Sequence, residues 1–261
     1  MELRTEFDSR DDLIAYCREQ FPEAAGVGDQ VSDTRGGPAA AEERLAAVDP
    51  VAYGRTRNQY GGAVTGLSPY LRHGVLGLAE TVDRVKQMAG SPQSAFKLLQ
   101  ELAWRDYWRR VLDQIGSGVW HDQEEYKTGY DADDYADELP ADFLAAETGI
   151  DFVDGTVREL HITGYLHNQG RMKIAAYVVH WRRVKWQAGA RWMLSHLLDG
   201  DLASNNLSWQ WVASTFAAKP YIFNQENLQK ATAGRYRGVD AATGQSPFAG
   251  SYDDLNDRLF R

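Results

Sequence analysis

Cysteine is nearly absent from this chain of 261 residues, which contains only Cys17. A lone thiol excludes a disulfide framework, a cysteine-based zinc cluster and an iron–sulfur cluster held by cysteines. No apolar run is long enough to cross a membrane, and the charged segment 1–13 does not resemble a signal peptide. Together these absences predict a protein of the reducing cytoplasm.

An excess of positive charge is also absent, because 28 basic residues face 37 acidic ones and the formal net charge is −9. This balance argues against a protein that coats nucleic acid without specificity. A local basic run and an acidic run over residues 131–138 remain, and we expect most of these side chains to be solvated surface. The basic run consists of Arg171, Lys173, Arg182, Arg183, Lys185 and Arg191.

The alternation of apolar and polar residues that marks β-strands is not sustained anywhere, and internal repeats are absent. Apolar residues instead recur with helical spacing, which predicts one all-α domain over residues 1–261. The helical segments are 1–25, 40–48, 94–112, 153–160, 166–183, 188–198 and 209–216. We expect loops at 26–39 and 61–69, a long surface segment at 116–140, an irregular segment at 199–206, and frayed or extended tails.

Tryptophan, by contrast, is abundant, with eight residues. Most tryptophans are core residues or edge anchors, but a protein that stacks on bases or conducts electrons also needs them. Trp104 and Trp108 lie one helical turn apart. Glu101 and Arg105 fall on the same helical face. That face is either the wall of a site or an amphipathic surface with an internal Glu–Arg ion pair.

Two further segments combine small or polar residues with a predicted helix start. Thr65–Ser68 precedes a helix near Tyr70, where free N–H groups and hydroxyls either suit a phosphate or only cap the helix. Segment 163–172, TGYLHNQGRM, places Asn168 and Met172 one turn apart. Both can face the same ligand, or the polar residues are ordinary caps.

The segment 199–211, DGDLASNNLSWQW, is the most informative part of the sequence. Asp199 and Asp201 flank a glycine, and their carboxylates suit a metal ion, a sugar hydroxyl or a ring N–H. The segment supplies too few hard oxygen ligands for a metal, so directional acceptors for a heterocycle are the favoured interpretation. Trp209 and Trp211 lie two residues apart, so a helix points them in roughly opposite directions.

Four motifs, in this order, resemble the FAD-binding catalytic domain of the photolyase/cryptochrome family. They are GLSPYLR at 66–72, ELAWRDYW at 101–108, TGYLHNQGRM at 163–172 and DGDLASNNLSWQW at 199–211. The resemblance covers residues 36–232, leaves 1–35 as an extension and 233–261 as a divergent tail, and implies an all-α fold that binds FAD. The family's N-terminal antenna domain has no counterpart here, so no antenna chromophore is expected.

The resemblance also implies which side chains hold FAD. Asn205 is expected to face flavin N5, where an amide resembles the photolyases and cannot protonate the nitrogen as an acid would. The implied contacts are Tyr53, Thr65, Gly66, Leu67, Ser68 and Arg105 around the phosphates, and Asn168, Arg171, Asp199, Asp201 and Asn205 around the isoalloxazine and ribityl groups.

For the substrate, Glu101 resembles the glutamate that hydrogen-bonds the thymine pair in cyclobutane-dimer photolyases, and Trp104 and Trp211 resemble its two stacking walls. Asn168 and Met172 stand where (6-4) photolyases carry histidines, which argues against (6-4) repair. The implied substrate contacts are Glu101, Trp104, Asn168, Met172 and Trp211, and the implied catalytic residues are Glu101 and Asn205.

Two departures from the family concern electron transfer and DNA contact. Trp209 and Trp186 match the first two tryptophans of the family's electron-transfer chain, but no tryptophan matches the third. Gln169 stands where photolyases often carry an arginine that binds a DNA phosphate. The alternatives for the third carrier are Tyr126, Tyr130, Tyr135 and Trp192, or a relay that ends at Trp186.

The sequence therefore predicts FAD-dependent, blue-light-driven repair of cyclobutane pyrimidine dimers in DNA, with reduced flavin as the active form. Single-stranded or locally opened DNA is the expected preference. The alternative is a cryptochrome-like photoreceptor that signals through flavin redox state without repair, which the acidic balance and Gln169 favour. A third hypothesis is a scaffold that has kept the fold without photochemistry.

Overall fold

The computed structural model describes residues 3–23 and 31–261, and the described chain is built from helices without a β-strand. This architecture confirms the predicted all-α fold. The loop predicted at 26–39 and the helix predicted at 1–25 fall partly on residues outside the described ranges. The α-helices are α1 (Arg10–Gln20), α2 (Pro38–Ala46), α3 (Pro50–Thr56), α4 (Ser68–Arg72), α5 (Leu78–Ala89), α6 (Pro92–Ile115), α7 (Ala141–Leu144), α8 (Asp151–Thr163), α9 (Asn168–Ala176), α10 (Trp186–His196), α11 (Leu202–Ala213), α12 (Gln225–Ala231) and α13 (Tyr252–Leu259).

Capping residues explain where several helices begin. Asp49 accepts hydrogen bonds from the first backbone N–H groups of α3, and Ser91 does the same for α6. In both helices a proline follows the cap directly, where its missing N–H costs no hydrogen bond. Helix α9 continues into a π-helical turn at Tyr177–Trp181, so the predicted helix over 166–183 is confirmed but ends slightly earlier.

The largest hydrophobic core lies among α8, α9, α10 and α11 and includes the fully buried Phe152, Trp186 and Phe223. A second core, around Val85 and Leu98, lies between α5 and α6. Helix α6 packs against α3, α5 and α11, so it connects the two cores. No described helix has both the length and the apolar character needed to span a membrane.

The segment 116–140 lies at the surface, as its polarity predicts, except at three residues. Val119, Thr128 and Tyr135 are buried, although the acidic residues of 131–138 stay exposed. The backbone of Ala136 exchanges hydrogen bonds with Arg183 and Lys185, which fixes the segment to the start of α10. The sequence does not show these three anchors, because isolated side chains enter the core while their charged neighbours remain in water.

Three other boundaries also differ from prediction. The irregular segment is 197–201 and not 199–206, because Asp201 caps a helix that begins at Leu202. That helix ends at Ala213, where Ser214 adopts a left-handed conformation with φ of 75°. The C-terminal tail is neither frayed nor extended throughout, because α13 buries Leu255 and Leu259.

Helices α10 and α11 approach closely at Gly189, and this contact supports a prediction about stability. A Cβ at this position would overlap the six-membered ring of Trp209, which is only 2% exposed. We expect Gly189→Ala to lower the free energy of unfolding by about 1–3 kcal/mol, because a buried indole cannot move aside. Urea denaturation followed by far-ultraviolet circular dichroism measures this change.

Gly54→Ala is the matched control. Gly54 is also helical, but a Cβ there would lie 3.6 Å from the Lys97 Cβ, an ordinary contact. This substitution is expected to stabilise the protein by about 0.5–1 kcal/mol through helix propensity. Equal effects of the two substitutions would contradict the close packing of α10 on α11.

Candidate functional site

A cavity of about 530 Å³ lies between α6, α9, α10 and α11, and its volume is in the range of small-molecule sites. Most of the sequence-predicted site residues line it: Ser68, Glu101, Trp104, Arg105, Asn168, Arg171, Met172, Asp199, Asp201, Asn205, Trp209 and Trp211. Tyr53, Thr65, Gly66, Leu67 and Trp186 do not line it. The structure thus brings together side chains that are more than a hundred residues apart in sequence.

Asp201 organises the inner end of this cavity. Its carboxylate accepts the backbone N–H of Ser204, which caps α11, and it pairs with Arg105 and Arg109 of α6 at 3.3 Å each. Burial raises the pKa of Asp201, but the Ser204 N–H and the Arg105 guanidinium outweigh burial and hold the pKa below its ordinary value. The carboxylate therefore stays ionised and ties the start of α11 to α6.

Asp199 forms the second carboxylate of the inner end. One oxygen accepts from Arg171 at 2.8 Å, while the other, Oδ1, is buried without a partner in the described part of the chain. Arg171 also donates to the carbonyl of Leu166, which fixes its guanidinium at the start of α9. A buried acceptor without a donor costs free energy, so Asp199 is set to receive a hydrogen bond from a ligand.

Asn205 lies between these carboxylates and the tryptophans of α11. Its amide nitrogen donates to the carbonyl of Ala190 and to Oδ1 of Asn206, at 3.0 Å each. Those two bonds fix the carboxamide plane and leave its own oxygen as the group that faces a ligand. Because Asn205 lines the cavity, this oxygen is available as an acceptor.

Two exposed indoles line the cavity at its mouth. Trp104 is 44% exposed and stacks on Trp108, with ring centroids 5.2 Å apart. Trp211 is 40% exposed and packs on Tyr221 at 5.5 Å. Large aromatic side chains exposed at a cavity mouth suit a flat ligand that stacks between them.

Glu101 stands at the same mouth and does not pair with Arg105. It forms ion pairs with Arg57, which directly follows α3, at 3.1 Å and with Lys97, one turn earlier in α6, at 3.4 Å. These two contacts replace the Glu101–Arg105 pair that the sequence suggests. Tyr53 lies near Glu101, and burial together with that carboxylate raises the pKa of its hydroxyl. Tyr53 packs against the second core and does not line the cavity, so its contact with the cofactor stays a prediction.

The predicted phosphate loop, 65–68, reaches the cavity through Ser68 alone. Gly66 has a φ of 63°, and a Cβ there would lie 2.5 Å from the Arg44 guanidinium. Arg44 in turn donates to the carbonyl of Thr65 at 2.7 Å. Leu67 is buried against α2, so the loop is held in place by packing, and the cofactor contacts of Thr65, Gly66 and Leu67 stay predictions.

Trp209 and Trp211 both line the cavity, although helical spacing predicts opposite directions. They do so at different depths, because Trp209 is 2% exposed and Trp211 is 40% exposed. Trp186 is fully buried behind the cavity, and its indole N–H donates to Asp122 at 2.6 Å. The deep indole and the exposed indole thus have different surroundings within one helix.

Several cavity residues are absent from the sequence prediction. Ser204, Ser208 and Val212 follow Asp201 at helical spacing along α11, so they share the face that carries Asn205. Helical spacing could have indicated these three residues, but an irregular segment instead of a helix was expected at 199–206. The remaining ones, Ala175, Met193 and Leu197, are apolar residues whose pattern is that of any helix core.

Comparison with known proteins gives the family of this chain. The sequence matches the FAD-binding domain of DNA photolyase over residues 98–235, which is more than half of the chain. The protein belongs to that family. The matched range contains every residue of the inner cavity except Ser68.

Curated relatives of this chain include deoxyribodipyrimidine photo-lyases and a cryptochrome DASH from Natronomonas pharaonis, which is 33% identical over 168 residues and is covered to 35% of its length. The chain is 38% identical to the photo-lyase of Streptomyces griseus over 155 residues, which cover 59% of this chain and 33% of the relative. It is 34% identical to that of Escherichia coli over 189 residues, covering 67% and 36% respectively. The matched part therefore spans about a third of the length of these relatives.

Solved structures of the family share this fold. A class III photolyase from Agrobacterium tumefaciens superposes with a TM-score of 0.69 at 22% identity, covering 98% of this chain and 54% of that one. A cryptochrome from Synechocystis sp. PCC6803 gives 0.67 at 24%, covering 89% and 52%. The fold is thus common to a photolyase and a cryptochrome.

The contacts of Asp201 support a prediction about stability and pH. We expect Asp201→Asn to lower the free energy of unfolding at pH 7 by about 3 kcal/mol, because Arg105 stays buried without its charge partner while the cap is kept. Asp201→Ala is expected to cost about 1 kcal/mol more, since it also removes the cap. Urea unfolding of the three proteins measures both steps.

The pH dependence of this difference follows from the lowered pKa of Asp201. The carboxylate stabilises the fold above its ordinary pKa of 3.8, and that contribution is lost as the pH falls through the lower folded value. Glu42→Gln, which removes an exposed ion pair with Arg84, is the control and is expected to change little. Similar losses for the Asp201 and Glu42 variants would contradict the role assigned to Asp201.

Proposed function

We propose that this protein binds FAD and uses it for blue-light-driven repair of cyclobutane pyrimidine dimers in DNA. The observation that carries the proposal is the arrangement of one cavity with two zones. Its inner zone holds Asp199, Asp201 and Asn205, and its mouth holds Glu101 between the exposed indoles of Trp104 and Trp211. This is a site for a heterocyclic cofactor with a stacking platform directly outside it.

The inner zone fits FAD on three physical grounds. The unpartnered Oδ1 of Asp199 and the oxygen of Asn205 supply acceptors for a heterocycle. The guanidinium groups of Arg105 and Arg171 line the same zone, which suits a diphosphate. Apolar side chains from α9, α10 and α11 complete the lining, as is usual in cofactor sites.

The chemistry that bound, reduced FAD supplies is donation of one electron to the dimer on illumination, with return of that electron after the two cyclobutane bonds have broken. The protein's own groups prepare the dimer for it. Trp104 and Trp211 stack on the extruded pyrimidines, and the Glu101 carboxylate accepts hydrogen bonds from the bases. Asn168 and Met172, whose side chains contact each other at 3.3 Å, form the third side of the mouth.

Several properties of the whole activity follow as parts of the same proposal. The carbonyl oxygen of Asn205 offers no proton, so the amide favours an anionic reduced flavin. Single-stranded or locally opened DNA is the preferred form, because the cavity accepts bases only outside the duplex stack. The protein works in the cytoplasm, in keeping with its lone, exposed Cys17.

The decisive test is repair by purified protein with reduced FAD under anaerobic conditions. An oligonucleotide with one cyclobutane thymine dimer is illuminated with blue light, and the restored thymines are counted by chromatography. Wild type is expected to repair the dimer only in the light. Glu101→Gln is expected to lower the repair yield on the order of tenfold at saturating DNA, because one charge-assisted hydrogen bond to the bases is weakened.

Lys230→Met, at an exposed position on α12, is the control and is expected to repair normally. The flavin absorption spectrum verifies that each variant holds its cofactor. Absence of repair by flavin-loaded wild type would overturn the proposed function. Normal repair by Glu101→Gln would remove Glu101 from the substrate site and leave the rest of the proposal standing.

Trp209 and Trp186 are proposed as the path by which an external electron reaches oxidised FAD. Asp122, which accepts from Trp186, also lies near Tyr126, where burial first and this carboxylate second raise the pKa of the hydroxyl. Tyr126 stacks on Tyr135 with centroids 4.5 Å apart. This tyrosine pair is our choice for the outer carrier over Trp192, which packs against Phe143.

The path predicts a separation between photoreduction and repair. We expect Trp209→Phe to slow light-driven reduction of oxidised FAD at least tenfold, while chemically reduced protein still repairs dimers. Trp192→Phe, also buried but outside the cavity, is expected to photoreduce like wild type. Flavin absorbance at successive illumination times gives both rates, and equal rates in the two variants would contradict the path.

A photoreceptor is the second candidate function, and the formal charge of −9 favours it. Its signal would be a change in shape that follows flavin reduction. The repair assay separates the two functions, because a photoreceptor would lose hydrogen-exchange protection in the light without restoring thymines. Identical hydrogen exchange in the dark and in the light would dismiss this alternative.

A further inference from the structure

Lys173 lies where its sequence surroundings do not predict it. The basic run that contains it is expected to be solvated, yet Lys173 has no exposed surface and points into the protein from α9. Burying an ammonium group costs free energy unless a carboxylate pairs with it. Within residues 3–23 and 31–261 no such carboxylate pairs with Lys173, so the structure retains an uncompensated buried charge at this position.

The partners of Lys173 are neutral and connect it to the cavity mouth. Its ammonium donates to Oε1 of Gln169 at 2.7 Å and to the hydroxyl of Tyr221 at 3.5 Å, and it lies 5.4 Å from the ring of Phe223. Tyr221 packs on Trp211, one of the exposed indoles of the mouth. A continuous line of contacts therefore runs from the indole to the buried charge and on to Gln169.

Gln169 is the end of this line opposite Trp211, and it is half-buried. It directly follows Asn168, which lines the cavity. Its carbonyl oxygen accepts from Lys173, and within the described residues its amide nitrogen donates to no protein group, so its N–H groups are available to a ligand. Accepting a hydrogen bond from a cation polarises the amide and strengthens its N–H donors.

We propose that Lys173 is a positioning residue that turns Gln169 into the phosphate-binding donor of the cavity mouth and gives this rim a positive potential. This inference rests on the proposed function, and it names the part of the substrate that the rim takes: a backbone phosphate of the DNA strand beside the dimer. The buried charge acts through Gln169 and through the low-dielectric protein around it. Gln169 itself carries no charge, so the positive potential at this position comes from Lys173.

Lys173 changes its charge near pH 8, whereas the titratable groups around it do not. Burial lowers the pKa of Lys173 to about 8. Burial also lowers the pKa of His167, at the start of the same helix, and raises those of Tyr221 opposite and Tyr252 beyond it. His167 is therefore neutral above pH 7 and the tyrosines stay neutral up to pH 10. Lys173 carries its charge below pH 8 and loses it above.

The test is the affinity of the full-length, FAD-loaded protein for a dimer-bearing oligonucleotide between pH 7 and 9.5, measured by fluorescence anisotropy in the dark. At pH 7, Lys173→Met is expected to bind on the order of tenfold more weakly than wild type, from the lost interaction of one charge with phosphate at several ångströms. Wild-type affinity is expected to fall through pH 8, whereas that of the variant stays flat. Lys230→Met removes the same formal charge from the surface and is expected to keep the wild-type profile.

Gln169→Glu provides a second variant that leaves Lys173 in place. Its carboxylate neutralises the ammonium and raises the pKa of Lys173, so the affinity at pH 7 is expected to drop and the step near pH 8 to disappear from the measured range. A Lys173→Met variant with wild-type affinity and the same pH profile would overturn the inference. So would a Gln169→Glu variant that binds DNA as wild type does.

Stability separates this role from a merely structural one. Because the folded pKa of Lys173 is lowered, the unfolded chain holds its proton to higher pH, and wild-type stability rises between pH 8 and 10.5. Lys173→Met is therefore expected to be more stable than wild type at pH 7 while it binds DNA more weakly; a less stable variant would assign Lys173 to the fold. If wild type repairs dimers and the variant binds normally, only the inference fails. If wild type neither binds nor repairs, the proposed function fails and the inference with it.

Discussion

The contact between Asp201 and the arginines of α6 is the interaction on which the site depends. One carboxylate performs two tasks, since it caps α11 through the Ser204 N–H and pairs with Arg105 and Arg109. Helix α11 carries Asn205, Trp209 and Trp211, and their positions follow from where that helix begins. A shift of its first turn would move the inner acceptor, the deep indole and the exposed indole together.

The common dependence on where α11 begins explains why one short segment lines both the inner end and the mouth of the cavity. Asn205 and Trp209 lie deep because α11 packs on α10 at Gly189, where only a missing side chain allows the indole to approach. Trp211 lies half a turn further and stays 40% exposed beside Tyr221. In the proposed function, a cofactor in the inner zone and a base stacked at the mouth would therefore be neighbours, which favours direct electron transfer between them.

The sequence predicts much of this site because its signals are local. Helical spacing places Trp104 and Trp108 on one face, and the aspartates around Gly200 indicate a turn with acceptors. What it does not predict is long-range. Tyr135 lies in an acidic run and Lys173 carries a charge itself, so the sequence places both at the surface, and only the packing of α9 and of the segment 116–140 buries them. The sequence does not predict ion-pair partners either. Arg105 lies one turn from Glu101 and yet pairs with Asp201, 96 residues away.

The distribution of charge within the site matters more for DNA than the total of −9. In the inner zone Arg105 and Arg171 face Asp199 and Asp201, while Arg109, whose side chain is 48% exposed, pairs with Asp201 from outside the cavity lining. Arg105 and Arg171 are thus engaged by carboxylates inside the cavity. In the proposed function another donor meets a DNA phosphate outside the mouth, and the line of contacts from Trp211 through Tyr221 and Lys173 ends at the half-buried Gln169. In that function an acidic exterior limits adhesion to undamaged duplex, and attraction is confined to the rim where an extruded pyrimidine dimer is also stacked.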